Sequence, residues 1–299
     1  MQRYRLLAID LDGTLLTPFP EKRVTPRARR TLEIARAAGM TITITTGQML
    51  AVLRHVCSGL PLSGPQILEN GALIIDFASG SVLYERFLPQ EHILSVLEAA
   101  RSLGLYRAYH TPEGVYVDRH TPRARDWYRP PLPPVIEVDD VATLYPRPCI
   151  KIAAVGSPEI LPTKRLQLEQ WFGQKLHVTQ STRDLLEVLH PEASKGQALR
   201  EVAQRLGVAP AEIVAIGDHY NDVEMLRFAG LSIAMGNAPP EVQAVADYVT
   251  SDNAHDGVAQ ALEDLVLPTL GWQPTAAKAE KGPEDRQSPE DRQSDGACS

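Results

Sequence analysis

The feature that most restricts the fold of this chain is an alternation of strand and helix signals that breaks off and later resumes. Tyr4 to Asp10 is a short apolar run rich in strand formers, and Asp12-Gly13-Thr14 follows it. Thr25-Pro26 opens a helix, with Thr as N-cap and Pro at the first helical position, and Gly39 closes it. Met40 to Thr46 alternates β-branched residues up to Gly47, and a further strand runs from Pro65 to Leu68 before Asn70-Gly71. Strand, helix, strand in that order builds a parallel sheet with helices on its faces. The rhythm returns with a helix from Lys195 to Leu206, stopped by Gly207, and a strand from Ile213 to Ile216 that runs into Gly217-Asp218. Alternating helices and short strands then continue to Leu265.

Between residues 84 and 189 the texture changes. Tyr106 to Tyr109 faces Val115 to Asp118 across a Pro-Glu-Gly turn, and the strands Cys149 to Val155 and Lys175 to Thr179 flank a helix near Pro162 to Phe172. A mixed segment between two halves of one α/β pattern reads as an inserted domain. The expected fold class is therefore α/β: a Rossmann-like, doubly wound parallel-sheet core from residues 1–83 and 190–267, with an α/β insert at 84–189. A length of 299 residues suits two domains. From Pro268 onward periodicity is lost, and Pro283 to Ser288 recurs as Pro289 to Ser294, so 268–299 is expected to be a disordered tail.

Composition narrows the partners. Net charge is −7 and no long Lys/Arg cluster occurs, which argues against nucleic-acid and anionic-membrane partners. No window reaches the roughly 20 apolar residues of a membrane span. The start, Met1 to Arg5, leads straight into a strand and leaves no room for a signal peptide. Cys57, Cys149 and Cys298 are far apart without metal-ligand spacing, so free thiols and a cytoplasmic location are expected.

In an open parallel sheet, ligands bind beyond the C-terminal ends of the strands. Asp10 with Asp12, Thr46 with Gly47, Lys195, and Asp218 with Asn221 and Asp222 all fall at or beside such ends. Two carboxylates about 4 Å apart repel by roughly 4 kcal/mol at an effective dielectric near 20. Gathering Asp10, Asp12, Asp218 and Asp222 thus calls for a cation, and an all-oxygen set suits Mg²⁺, whereas Zn²⁺ would want His or Cys. Lys195 supplies a point positive charge and Thr46 a hydroxyl, while Gly13 and Gly47 let backbone amides approach an anion closely. Asp10 as nucleophile, with Asp12 as general acid and base, would split phosphoester hydrolysis into two steps.

These strings resemble the haloacid dehalogenase superfamily: Asp10-Leu11-Asp12-Gly13-Thr14, Thr46-Gly47, Lys195-Gly196 and Gly217 to Asp222. The resemblance implies the nucleophile at Asp10, the acid/base at Asp12, a phosphoryl-holding Thr46 and Lys195, and metal-binding late acids Asp218 and Asp222. Glu69-Asn70-Gly71-Ala72, Asn221 to Leu226, Gly236-Asn237-Ala238 and Asp256 to Ala259 are similar to the Cof-like branch, whose large α/β cap is inserted between the second and third motifs. It implies a small phosphorylated metabolite as substrate, such as a sugar phosphate, held by Gly13, Gly47, Gln48, Asn70, Gly71 and Asn221. One departure stands out: Gln48 occupies the place where that branch usually carries Arg, and it brings neither charge nor guanidinium fork. A phosphotransferase or phosphomutase would use the same Asp10 intermediate, and a sensor without turnover is the non-enzymatic alternative. Asn70-Gly71 also reads as a plain turn, His219 as a bystander, and Arg129 to Pro134 as a stiff loop beside Trp127 and Tyr128.

Overall fold

The computed structural model describes residues 4–62, 64–118 and 135–273. Ser63, Trp127, Tyr128, the Arg129 to Pro134 loop and the duplicated tail motif lie outside the described residues.

Leu6–Asp10 is buried along its whole length, which explains why it is a continuous apolar run and not an alternating one. It pairs in parallel with Ile213–Gly217 on one side and Thr41–Thr45 on the other. In spatial order the sheet reads Tyr248–Val249, Leu231–Ala234, Ile213–Gly217, Leu6–Asp10, Thr41–Thr45, Pro65–Leu68, Leu73–Asp76 and Val82–Glu85. The first six run parallel, as expected. The last two form an antiparallel edge hairpin that the sequence reading did not contain. Thr41–Thr45 shows how a strand buried on both faces keeps polar residues. Ile42 and Ile44 join one core, while the Thr43 hydroxyl donates to Pro65 O at 3.0 Å.

One face of this sheet packs on the helix Pro26–Ala37 and the segment from Gly257 to Val266; the other packs on Lys195–Leu206 and Val223–Phe228. Both long helices are capped at their N-termini, the first by Thr25 as expected. The Thr25 hydroxyl accepts from Ala28 N at 3.1 Å, and Ser194 accepts from Gln197 N at 3.1 Å. Each fully buried Leu or Ile in these layers contributes about 1.5–3 kcal/mol. The first residues assigned to the tail, 268–273, pack against the core instead. Leu267–Leu270 forms one tight turn, and Leu270 and Trp272 pack on the core because both are apolar and reach it.

A second, six-stranded sheet runs His177–Thr182, Leu185–Leu189, Lys151–Val155, Tyr106–Thr111, Gly114–Asp118 and Ile136–Val138. Its outer face packs under the helices Gln90–Ser102 and Leu161–Phe172. Its other face carries a smaller apolar cluster that meets Met49, two residues beyond Gly47 in the first sheet's loops. The first strand and Ile213–Gly217 are neighbours whose chains leave toward opposite edges, so a crevice opens beyond their C-terminal ends. The second sheet lies over that crevice.

Candidate active site

Asp10 ends the first strand and Asp218 follows the adjacent one, so the sheet delivers both carboxyls to the crevice. Asp10, Asp218 and Asp222 are buried, and one carboxylate oxygen from each lies within 4.8 Å of the others. Lys195, at the first turn of its helix, donates to Asp10 Oδ1 and to Asp222 Oδ1, the latter at 2.6 Å. Asp222 Oδ2 accepts from the backbone N of Asp218 at 2.9 Å and of His219 at 3.0 Å, which fixes the loop after the strand. Thr14 donates its hydroxyl to Asp218 Oδ1 at 3.0 Å, and Asn237 donates to Asp218 Oδ2 at 3.2 Å.

Three carboxylates here face one ammonium. Burial pushes the Asp10 carboxyl well above the usual carboxylate range, against the pull of Lys195. Burial, reinforced by Asp222, raises Asp218 to about 7. Asn221 Oδ1 is buried without a hydrogen-bond partner among the described residues, and Asn221 lines the same cavity as Asp10 and Asp218. An excess of buried oxygen donors with negative charge is what a hard divalent cation relieves, so the residues fit Mg²⁺.

Asp12 departs from the expected metal set. It lies beyond the strand, in a single wide turn over Leu11–Leu15, and its carboxylate is not among those that gather within 4.8 Å. Lys22 donates to Asp12 Oδ1 at 2.8 Å and Gln48 Nε2 donates to Oδ2 at 2.8 Å. The side chain still lines the cavity beside Asp10, where an acid/base belongs. Gln48 thus has a role in place of arginine: its neutral amide holds Asp12.

Thr46 is buried and its backbone N donates to Ile67 O at 2.9 Å. Its hydroxyl accepts from Gln48 N at 3.0 Å, so the hydroxyl proton is left for another acceptor. A cavity of about 120 Å³ joins Asp10, Asp12, Thr46, Gly47, Gln48 and Asn221 with His110, Lys151, Ser181, Thr182 and Glu187 of the second sheet. A wider cleft of about 930 Å³ adjoins Asp12, Gly13, Asp218 and His219. Gly13 is required where it stands: its φ is +84°, and a Cβ there would lie 2.3 Å from Asp218 Oδ2.

Asn70 and Gly71 line neither of these two spaces. Asn70 donates to Glu187 and accepts from Asn221 Nδ2 at 2.9 Å. Gly71, with φ +93°, would place a Cβ 2.2 Å from Ser194 O, so it seats the helix that carries Lys195. His219 is a bystander to the acids by side chain: its Nδ1 meets Gln180 O at 2.9 Å.

Residues from the second sheet were missed. Lys151 ion-pairs with Glu69 Oε2 at 2.7 Å and Glu187 Oε1 at 2.6 Å, and donates to Gly47 O at 2.6 Å. His110 Nδ1 lies 3.3 Å from Glu69 Oε2. Burial would raise Glu69, but Lys151 and His110 overcome it and hold the carboxyl at about 2. The available signal was period-two alternation: Lys151 shares a face with Ala153 and Val155, opposite Ile152 in the outer core.

Comparison with known proteins shows the family. The haloacid dehalogenase-like hydrolase family profile matches residues 7–262. Pyridoxal phosphate phosphatase YbhA of Escherichia coli K12 is 31% identical over 273 residues, covering 86% of this chain and 96% of its own length. The 5-amino-6-(5-phospho-D-ribitylamino)uracil phosphatase YcsE of Bacillus subtilis 168 is 30% identical over 265 residues, covering 88% and 96%. A solved structure of a haloacid dehalogenase-like hydrolase from B. subtilis superposes with a TM-score of 0.78 at 25% identity, covering 87% of this chain and 99% of that one. The chain belongs to the haloacid dehalogenase-like hydrolases, in their Cof-like branch, and is a phosphoric monoester hydrolase.

Proposed function

We propose that this phosphatase hydrolyses a small phosphorylated metabolite, a sugar phosphate or a similar monoester of a primary alcohol, through an aspartyl-phosphate on Asp10 with Mg²⁺ as cofactor. The observation that carries the reading is the convergence of Asp10, Lys195, Asp218 and Asp222 at one strand crossover, under a cavity closed by the second sheet. Asp10, Asp218 and Asp222 would hold the cation. When bound, it neutralises the acids and the transferring phosphoryl oxygens.

The remaining roles follow from the chain's own groups. Lys195 keeps Asp10 oriented and adds a buried positive charge beside the phosphoryl group. The Asp10 carboxylate attacks phosphorus in line, and the bond to the leaving oxygen breaks as Asp12 gives that oxygen its proton. Asp12 then removes a proton from water, whose oxygen attacks phosphorus and frees Asp10 and inorganic phosphate. The Thr46 hydroxyl donates to a phosphoryl oxygen in both steps.

Residues 84–189 act as a cap in this reading, and their contribution to the cavity favours hydroxylated leaving groups. Ser181 and Thr182 line the cavity with hydroxyls that can hydrogen-bond the hydroxyl groups of such a substrate. The named substrates of YbhA and YcsE are likewise phosphates of small primary alcohols. Buried, unpaired Cys57 and Cys149 fit a reducing cytoplasm.

A panel of phosphate esters assayed with Mg²⁺ and with EDTA tests the reading. Phosphate release requires the metal, and Asp10→Asn reduces it by at least roughly a thousandfold, as for loss of other catalytic nucleophiles. Retained turnover in Asp10→Asn would refute the aspartyl-phosphate route.

A further inference from the structure

Lys151 lies on a strand of the second sheet, yet its ammonium is spent on the first sheet's phosphoryl-holding turn. It is almost fully buried, at 2% exposure, and meets three oxygens, Gly47 O, Glu69 Oε2 and Glu187 Oε1. An ammonium has three donors, so none is left for substrate. What it does instead follows from the peptide it grips. The Gly47 carbonyl belongs to the same peptide unit as the Gln48 N–H, and that N–H donates to the Thr46 hydroxyl oxygen at 3.0 Å. One end of the unit is held by Lys151 and the other orients the hydroxyl. Binding a cation at the carbonyl also strengthens the N–H as a donor.

One carboxylate partner of Lys151, Glu69, is tied to the same turn. Glu69 and Asn70 both adopt left-handed backbone conformations, at φ +50° and +54°, which is strained for a glutamate. Their backbone N–H groups donate to Gln48 O at 3.3 Å and Thr46 O at 3.0 Å. Glu187 comes from the second sheet and accepts from the Asn70 amide.

We propose that Lys151 is a positioning residue for phosphoryl transfer: by gripping the Gly47 carbonyl it sets the Thr46 hydroxyl, so the phosphoryl site is complete only when the second sheet is seated. The proposal rests on the phosphatase reading above. It adds a second-sheet residue that acts through the first sheet without touching substrate.

A double-mutant cycle on the Mg²⁺-loaded full chain tests it, using p-nitrophenyl phosphate and a sugar phosphate. Lys151→Met and Thr46→Val each lower kcat by roughly tenfold to a hundredfold. The double variant loses no more than the worse single variant, because both remove the same oriented hydroxyl. Losses that multiply overturn the proposal, as does a Lys151→Met loss confined to one of the two leaving groups. If Lys151→Met fails to fold, the triple variant Lys151→Met with Glu69→Gln and Glu187→Gln removes the uncompensated buried charge. A folded triple variant with kcat still reduced by tenfold or more supports positioning, and one with wild-type kcat overturns it. Wild type and Asp10→Asn are run alongside. Wild type without Mg²⁺-dependent release refutes the phosphatase reading, whereas an active wild type with multiplying losses refutes only the role of Lys151.

Discussion

Two buried lysines sit among carboxylates in this molecule, less than a side chain's reach from one cavity, and they do opposite things. Lys195 faces Asp10, Asp218 and Asp222, three acids against one cation. Lys151 faces Glu69 and Glu187, with His110 close to Glu69. Burial is alike in both, so burial does not separate a reactive site from a structural one. The balance of charge does. In the first cluster burial, reinforced by the neighbouring carboxylates and not offset by the single ammonium, raises Asp10 and Asp218 and leaves an open demand for a cation. In the second the Glu69 carboxyl is held at about 2, ionised and satisfied. A cluster with charge left over binds something, while one that closes on itself holds parts together.

The largest effect that would break this comparison is at Gly13. Gly13→Ala forces a left-handed backbone on alanine and drives a methyl into Asp218 Oδ2, which Thr14 and Asn237 otherwise hold. The Mg²⁺ concentration for half-maximal activity rises by roughly tenfold to a hundredfold, the range for disturbed support of a metal ligand. The Lys151 cluster is untouched, so stability with chelator falls only by the local strain, on the order of 1–2 kcal/mol. Metal titration of activity and urea unfolding in EDTA check both. Unchanged metal dependence would show that Asp218 does not serve the cation.

How far the sequence made this legible depends on the kind of signal each residue carried. The parallel core was readable because its strands are short apolar or β-branched runs and its long helices carry Thr25 and Pro26 as a start signal and Gly39 and Gly207 as stops. Asp10 and Asp218 were readable because each directly ends or follows such a strand. Asp12 reaches the expected cavity but not the carboxylate cluster, because a spacing of two keeps side chains together only while the strand continues, and here it stops at Asp10. The edge hairpin Leu73–Asp76 with Val82–Glu85 was missed because no helix signal accompanies an antiparallel addition. Lys151 and Glu187 escaped notice because a charge on a strand ordinarily faces water, and only the docking of a second sheet buries these two.

The second prediction uses the opposite sign of the two clusters. In EDTA, Asp218 titrates near 7 in the folded chain and near its ordinary 3.8 when unfolded. Between those values the folded state holds a proton that the unfolded state has lost, so stability falls as pH rises through that window. The metal-free protein therefore loses stability from about pH 4 to 7, and Asp218→Asn flattens that slope. Mg²⁺ at about a hundred times its dissociation constant restores roughly 2.7 kcal/mol above pH 7, or a few degrees in Tm. Thermal melts across pH, with and without metal, decide it. Equal slopes in wild type and Asp218→Asn would contradict the charge surplus.

The smallest effect lies on the acid side and belongs to the closed cluster. Glu69 titrates at about 2 when folded and near its ordinary 4.5 when unfolded. Below 4.5 the unfolded state takes up a proton that the folded state refuses, so this contribution is whole above 4.5 and drains as pH falls toward 2. One pH unit within that window is worth at most about 1.4 kcal/mol for a single group. Wild type therefore loses up to about 2 kcal/mol more than Glu69→Gln between pH 4.5 and 3, measured by urea unfolding in EDTA. Metal leaves this difference unchanged, because Glu69 is not among the acids that would hold the cation. A Glu69→Gln acid limb parallel to wild type, or one that shifts with Mg²⁺, would mean the two clusters share their charge and are not the separate devices their surroundings imply.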